Sequence, residues 1–311
     1  MRIVFFGTPS FSVPILEALH HQYEVVLVVT QPDTYDYKKK VMRFSPVKEK
    51  AIELGLDVCQ PERIKTSVNE VLNTHPDIII TAAYGQILPK PLLEIPPYKA
   101  INVHASLLPK LRGGAPIQRA IERLHQCTGV TIMQMVPKMD AGAIIAQSSL
   151  TINPRDTSDI LFEKLSHLGV KLLLQTLPLI KRNEATYTPQ NEDDATYAYA
   201  LKREEEKLDF HRTAEQLDAK IRAFYPSPNT YFNVQNTSIK VIEAHFLTNN
   251  HMESIVPGTI VGIDKNALQI QSLQGILCIT KVQLPGKKAM PIAAFMNGKG
   301  QVLIKINTCV N

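Results

Sequence analysis

The sequence predicts an α/β protein: a doubly wound, mostly parallel, Rossmann-like sheet followed by a small OB-like β-barrel domain. Three observations predict it. Short apolar, β-branched runs alternate with helical patterns through the first part of the chain, as in a parallel sheet covered on both faces. A polar and charged stretch interrupts that pattern between residues 183 and 206. Five short alternating segments with turn signals follow it, the pattern of a small barrel. The 311 residues, 44% apolar and 20% charged, suffice for two domains with substantial cores.

Taken in order, Ile3–Phe6 is expected as a strand and Phe11–His21 as a helix with Val13, Leu16 and Leu19 on one face. Val25–Thr30 is expected extended and Val47–Leu54 helical. Asp77–Ala82 reads as a buried strand, and Ala100–Val103 as another beyond a proline-rich loop. Ala115–Leu124 is expected helical, Val130–Met135 extended, and Ser158–Ile180 a long amphipathic helix. The first domain is expected over 1–185, a linker over 186–204 and the barrel domain over 205–311. In the barrel domain a helix at Thr213–Phe224 precedes strands at Tyr231–Val234, Ile239–Phe246, Gly258–Ile263, Ala267–Gln271 and Ile276–Val282.

Composition excludes several classes. No apolar run approaches the ~20 residues a membrane span needs, so no membrane role is expected. Ile3–Phe6 is too short for a signal peptide, and structure begins too early for a transit peptide. Cys59, Cys127, Cys278 and Cys309 lie far apart with no CxxC pair or metal-ligand spacing. They read as reduced thiols of a cytoplasmic protein. The net charge of +5 is unevenly spread: residues 208–311 hold ten Lys and Arg against six Asp and Glu, whereas 1–207 hold 24 against 23. That suggests chemistry in one part and a polyanion partner for the other, although the excess also lies within ordinary scatter. If the basic domain tracks phosphates, Lys281, Lys287 and Lys288 are candidates.

Candidate sites cluster at the predicted ends of strands. Gly7 follows the first strand, but the second and third glycines of a dinucleotide cradle are missing. A tight turn with Gly7 at special dihedrals is the favoured reading. Gln31-Pro32-Asp33 leads into a loop carrying Lys38, Lys39, Lys40 and Arg43, which could grip phosphates or merely stay solvated. The densest segment is INVHASLLPKLRGGAPIQ, residues 101–118. Asn102 and His104, two apart on a strand, share one face. An amide donor beside an imidazole can stabilise an oxyanion and move a proton at one carbonyl. Asp140 lies in a glycine-punctuated loop. It reads as an Asx-turn residue or as the carboxylate that holds His104 in one tautomer.

FFGTPSFSVPILEAL, QPD…SPVK, INVHASLLPKLRGGAPIQRAI and GVTIMQMVPKMDAG, in that order and spacing, resemble the folate-dependent formyltransferase family. The likeness runs to the carboxyl terminus, through LPGKKAM at 284–290. IRAFYPSP at 221–228 points to the branch that acts on initiator tRNA. The resemblance implies transfer of a formyl group from 10-formyltetrahydrofolate, a co-substrate, to the methionine α-amine of initiator methionyl-tRNA. It implies no metal, a monomer, and Asn102, His104 and Asp140 as the catalytic trio. It further implies Ser106, Leu107, Leu108 and Pro109 along the tetrahydrofolate site, and a Lys38–Arg43 loop that reaches the acceptor stem. Two departures are visible. That loop reads TYDYKKKVMR where the family carries glycines and an arginine, and Ser227 stands where the family has Trp. A sibling transferase on a small amine, a formyl-folate hydrolase, and a non-catalytic RNA-binding protein remain as alternatives.

Overall fold

The computed structural model describes residues 1–36, 40–248 and 255–310. They form two compact units. The first comprises Met1–Pro116, Cys127–Thr151 and Phe162–Ala200, and the second Ile117–Gln126, Ile152–Leu161 and everything from Leu201 on.

In chain order come β1 (Arg2–Gly7), α1 (Val13–Gln22), β2 (Glu24–Val29), the hairpin strands β3 (Thr34–Asp36) and β4 (Val41–Arg43), α2 (Pro46–Glu53), β5 (Val58–Cys59), α3 (Val68–Leu72) and β6 (Ile78–Ala82). There follow α4 (Lys90–Glu94), β7 (Ala100–His104), α5 (Pro116–Glu122), β8 (Cys127–Gln134), β9 (Ile144–Thr151) and α6 (Ser158–Lys181). Among the described residues the first sheet runs β5-β2-β1-β6-β7-β8-β9. The first five strands are parallel, and β8 and β9 are antiparallel to their neighbours. All of β6 is buried, as expected of a strand covered on both faces. Phe11, expected in a helix, lies instead in a 3-10 turn, Ser10–Ser12, ahead of α1.

Two features depart further from the sequence reading. No strand was expected at 144–151. The connection from β8 to β9 is too short for a parallel crossover, which needs a dozen or more residues, so β9 returns antiparallel along the sheet edge. Its alternation is shallow, with no fully buried position, and that left little apolar signal. Gly7 is a correction as well. It ends β1 without the left-handed backbone expected of it, which Gly55, Gly85 and Gly113 do adopt. Its constraint is steric: a Cβ there would lie 2.7 Å from the Ser12 Cβ and 2.8 Å from the Phe5 ring.

Local chemistry sets the parallel elements in place. Ser45 caps α2 by accepting from the Lys48 N–H at 3.0 Å, with Pro46 next in line. The same hydroxyl meets Thr30 at the end of β2, 2.8 Å away. Within the first unit α6 packs on β7, where a Cβ on Gly169 would come within 3.1 Å of Val103. The polar stretch expected as a linker is paired in part to this unit. Thr188 and Ile144 exchange backbone hydrogen bonds of 2.8 Å, and Arg112 does likewise with Thr196 and Ala198 at 2.8 and 2.7 Å.

The second unit holds α7 (Ala214–Phe224), β10 (Thr230–Val234), β11 (Thr237–Leu247), β12 (Ile260–Ile263), β13 (Leu268–Gln271), β14 (Ile276–Gln283), β15 (Met290–Pro291) and α8 (Ile292–Phe295). Among the described residues these strands form an antiparallel half-barrel, β10-β11-β14-β13-β12 with β15 on β14, of the partly open kind seen in OB folds. Thr213 and Gln216 form a capping box that starts α7. Its buried face meets Phe232, Val241, Leu277 and Ile279 in one apolar cluster. Ser227 is exposed between two prolines that follow cis peptide bonds. All four cysteines are free, and burial pushes the Cys59 thiol up to about 11. No helix among the described residues is long and apolar enough to cross a membrane.

Phe232 is fully buried and packs edge-on to Phe210, with ring centroids 6.5 Å apart. Phe232→Ala should therefore cost ~3–5 kcal/mol in urea unfolding of this unit. A cost under ~1 kcal/mol would show that the half-barrel core is not close-packed around that ring.

Candidate active site

Strand β7 carries the site. Ile101 and Val103 are buried in the core, which leaves Asn102 and His104 on the other face of the strand. Asn102 is half-buried. Its Oδ1 accepts the Thr81 hydroxyl of neighbouring β6 at 2.7 Å, and among the described residues its NH2 group has no partner. In this arrangement the cross-strand bond occupies the amide oxygen and leaves the NH2 group turned outward. The carboxyl end of β7 is also where the polypeptide leaves the parallel part of the sheet, the usual place for a ligand crevice.

His104 is buried. Its Nε2 lies 3.0 Å from the Leu111 carbonyl, so Nε2–H donates there and Nδ1 faces Asp140. The distance from Nδ1 to Asp140 Oδ1 is 3.7 Å, beyond a direct hydrogen bond. The sequence reading gave Asp140 the task of holding the tautomer. In the structure the Leu111 carbonyl holds it, and Nδ1 and the carboxylate face each other across a gap.

Three backbone constraints aim Asp140. Its own φ is 50°, in the left-handed region that aspartate tolerates better than most residues. Its Oδ2 accepts the Gly113 N–H at 2.8 Å, and Gly113 has φ 122° and no room for a side chain, since a Cβ would stand 2.7 Å from the Ala198 carbonyl oxygen. Gly142 closes the loop against β8, where a Cβ would fall 1.8 Å from the Gln134 carbonyl oxygen. Beneath the loop, Gln190 donates to the carbonyls of Asp140 and Gly142 at 2.8 and 2.7 Å. Its own oxygen accepts from Arg112 Nε and NH2 at 3.1 and 2.8 Å. Arg112 has no exposed surface and grips Glu192 through two nitrogens at 3.0 and 3.1 Å. Lys138 reaches the same carboxylate at 2.6 Å.

The segment expected to line the folate site is held from behind. Thr131, opposite His104 in the ladder, donates to the Ser106 carbonyl at 2.6 Å and accepts from the Leu108 N–H at 3.1 Å. Gln147 of β9 donates to the Leu108 carbonyl at 2.8 Å. The Ser106 hydroxyl is buried and donates to the Lys110 carbonyl at 2.7 Å. Leu108 is buried and precedes a cis Pro109, while Leu107 and Pro109 are partly exposed.

Of the remaining sequence candidates, Lys38 and Lys39 lie outside the described residues. Lys40 and Arg43 are exposed on the β3–β4 hairpin, next to exposed Tyr35, Val41, Met42 and Phe44. Asp33, at the base of that hairpin, is held by Lys48 and Gln60. Burial alone would raise its carboxyl, but the hydrogen bonds from Gln60 and Lys48 outweigh it and leave the group below its usual range. Lys287 and Lys288 are exposed in the second unit, on a turn with Gly286 at φ 69°. Sequence reasoning missed Thr81, Thr131, Gln147, Gln190 and Glu192. Each is a polar side chain whose partner lies far away in sequence or on another strand, and no local spacing announces such a pair.

Comparison with known proteins shows the family. The formyl transferase family pattern matches residues 1–177, and the pattern of its C-terminal domain matches residues 200–300. The chain belongs to the formyl transferase family. A methionyl-tRNA formyltransferase of Enterococcus faecalis is 46% identical over 304 residues, 96% of either chain. One of Latilactobacillus sakei is 45% identical over 305 residues, 97% of this chain and 95% of the relative. Among solved structures, the Helicobacter canadensis N-formyltransferase in complex with folinic acid and dTDP-3-aminofucose aligns at TM-score 0.66. It is 20% identical over 91% of this chain and 98% of its own. HypX of Aquifex aeolicus with tetrahydrofolic acid aligns at 0.65 and 16% identity. The alignment covers 99% of this chain, which spans about half the length of HypX.

Hydrogen bonds to Arg112, and then to Lys138, pull the Glu192 carboxyl from its ordinary 4.5 down to about 2. A carboxyl lower in the folded than in the unfolded chain stabilises the fold above the unfolded value and loses that contribution as pH falls through the folded one. Wild type and Glu192→Gln should therefore differ in urea midpoint by a full, constant amount above pH 4.5. The difference should shrink steadily between pH 4.5 and about 2. A difference independent of pH would remove the ion pair as its source.

Proposed function

We propose that the protein transfers a formyl group from 10-formyltetrahydrofolate to the α-amine of methionine on initiator methionyl-tRNA, yielding N-formylmethionyl-tRNA for translation initiation. One observation carries the reading: identity of 43–46% to methionyl-tRNA formyltransferases along almost the whole chain, both domains included. The placement of Asn102, His104 and Asp140 around one strand end supports it chemically. A full-length tRNA-directed relative also favours this substrate over the small amines of the sugar transferases, whose likeness at 20% identity or below is one of fold.

The methionyl amine, with a pKa near 7.7–8.0, has a neutral, nucleophilic fraction at physiological pH. As its nitrogen bonds to the formyl carbon, negative charge grows on the formyl oxygen. The Asn102 NH2, turned outward by Thr81, is the donor for that oxygen, and losing such a donor typically costs ~10²–10³ in rate. The amine gives up one proton and the departing folate nitrogen gains one. His104 Nδ1 and Asp140 Oδ1, face to face across their gap, are the groups that carry it. Because Nε2 is tied to Leu111, Nδ1 is the nitrogen that stays open to the reaction. Leu107 and Pro109 supply partly exposed apolar surface beside these groups, which suits the flat ring system of a folate. The fit is one of shape and donor placement, and this chemistry asks for no metal.

We assign catalysis to residues 1–185 and tRNA binding chiefly to 205–311, with the hairpin that holds Lys40 and Arg43 at the acceptor stem and Lys38 and Lys39 beside them in sequence. Exposed apolar side chains among cations suit an element that both grips phosphates and wedges bases apart. The enzyme is read as a cytoplasmic monomer, a setting consistent with its free thiols.

Labelled formyl transfer to initiator methionyl-tRNA, with uncharged and elongator tRNAs as controls, tests the activity. His104→Ala and Asp140→Asn should each lower kcat by ~10²–10⁴-fold while KM for both substrates stays within about threefold. Near wild-type kcat in either variant would cancel that residue's role. Binding of tRNA should weaken uniformly across sequences in a Lys287→Ala/Lys288→Ala variant. Its salt slope should fall by ~0.7–0.9 per lost contact, and an unchanged slope would exclude these lysines as phosphate ligands.

A further inference from the structure

We propose that Gln190 is a positioning residue for the reaction: from the stretch that reads as a linker, it holds Asp140 opposite His104. The inference rests on the reading of Asp140 as part of the proton-handling pair.

A primary amide has two donors and one two-fold acceptor, and in Gln190 both ends are engaged. The NH2 group bridges the carbonyls of Asp140 and Gly142, and the oxygen sits in the fork of Arg112 Nε and NH2. Acceptors at one end and donors at the other leave the amide one orientation. Gln190 therefore reads the backbone on both sides of Ala141, on the loop whose left-handed turn at Asp140 aims the carboxylate.

The contacts also close into a ring. From Gln190 the path runs through Arg112 to Glu192, and through Lys138 back to the loop two residues before Asp140. Arg112 enters the ring a second way, because the next residue, Gly113, donates its N–H to Asp140 Oδ2. Main chain and side chain of Asp140 are thus gripped from the same two segments, 112–113 and 190–192. Arg112 is buried at the centre of this network, while Glu192 and Lys138 close it at the surface, and a fully partnered network favours a single arrangement. With 3.7 Å separating Nδ1 from Oδ1, a shift of the loop by even one ångström would decide whether a proton can pass, and such shifts cost rate steeply. Packing alone does not require this geometry. An apolar side chain of similar volume could fill the same space, yet it would leave the carbonyls of Asp140 and Gly142 without this donor and take one acceptor from Arg112.

Gln190→Glu separates positioning from packing. It keeps the shape and the tie to Arg112 but turns acceptor oxygens toward two carbonyls that need donors. We expect kcat to fall at least tenfold, with KM for formyl donor and tRNA within about twofold of wild type. The decisive readout is a double-mutant cycle with Asp140→Asn under single-turnover conditions. If Gln190 acts through Asp140, adding Gln190→Glu to Asp140→Asn should lower the residual rate by less than about twofold. Equal losses in both backgrounds, or wild-type kcat in the single variant, would overturn the proposal. Should the new charge unseat Arg112 and unfold the chain, Gln190→Met enters the same cycle under the same two criteria. Wild-type enzyme that fails to formylate initiator methionyl-tRNA would sink the functional reading instead, and an active Asp140→Asn would sink the assignment of Asp140.

Discussion

A guanidinium with no exposed surface is the constraint around which the first unit is organised. Arg112 cannot shed its proton, and withdrawing that charge from water is costly unless partners surround it. Burial on its own would lower its pKa, but Glu192, with help from Tyr197, outweighs burial and holds it above its usual value. The need for those partners explains why a polar stretch with no periodicity lies paired on this unit. It also explains why a glycine, Gly113, follows Arg112. The main chain must pass close enough for Gly113 to reach the Asp140 carboxylate while Arg112 itself turns inward.

Asn102 depends on a second, smaller constraint. Thr81 and Asn102 occupy paired positions on adjacent parallel strands, so the bond that orients the amide is part of the sheet's register. A one-residue slip would turn Asn102 to the opposite face and separate it from Thr81 at once. The orientation of Asn102 and the strand pairing are therefore the same structural fact here, and this candidate site inherits the rigidity of the most deeply buried strands.

Much of this was legible in the sequence, for reasons that differ by element. β1, β2 and β6 announce themselves as nearly continuous apolar runs, β7 as a shorter apolar stretch interrupted by Asn102, and the five main barrel strands as alternation between turns. Asn102 and His104 could be placed on one face from their spacing alone, and Asp140 was singled out by the glycines beside it. What escaped was set by contacts distant in sequence. The shallow alternation of β9 reflects an edge position, which the residues do not advertise. The Leu111 carbonyl that holds His104 belongs to a loop whose path is decided by residues 196–198. Gln190 and Glu192 stand in a run of polar residues that looks like solvent-exposed connection, because nothing local marks a charge buried nearly eighty positions earlier.

That separation has a temporal side. A ribosome delivers the chain from its amino end, and all seven strands of the first sheet are available once residue 151 has emerged. Arg112 has by then been inside the nascent fold, or waiting at its surface, without Glu192 or Gln190. The carboxylate loop at 138–142 is equally without its support. The sheet can form early, but the site cannot be completed until the strap that follows α6 has been synthesised and laid down. A fragment cut at the end of α6 would hold all seven strands but lack the Gln190 and Glu192 contacts of the Asp140 loop and of Arg112. The strands of the sheet are thus complete by residue 151, whereas the contacts that hold the Asp140 loop are complete only at Glu192.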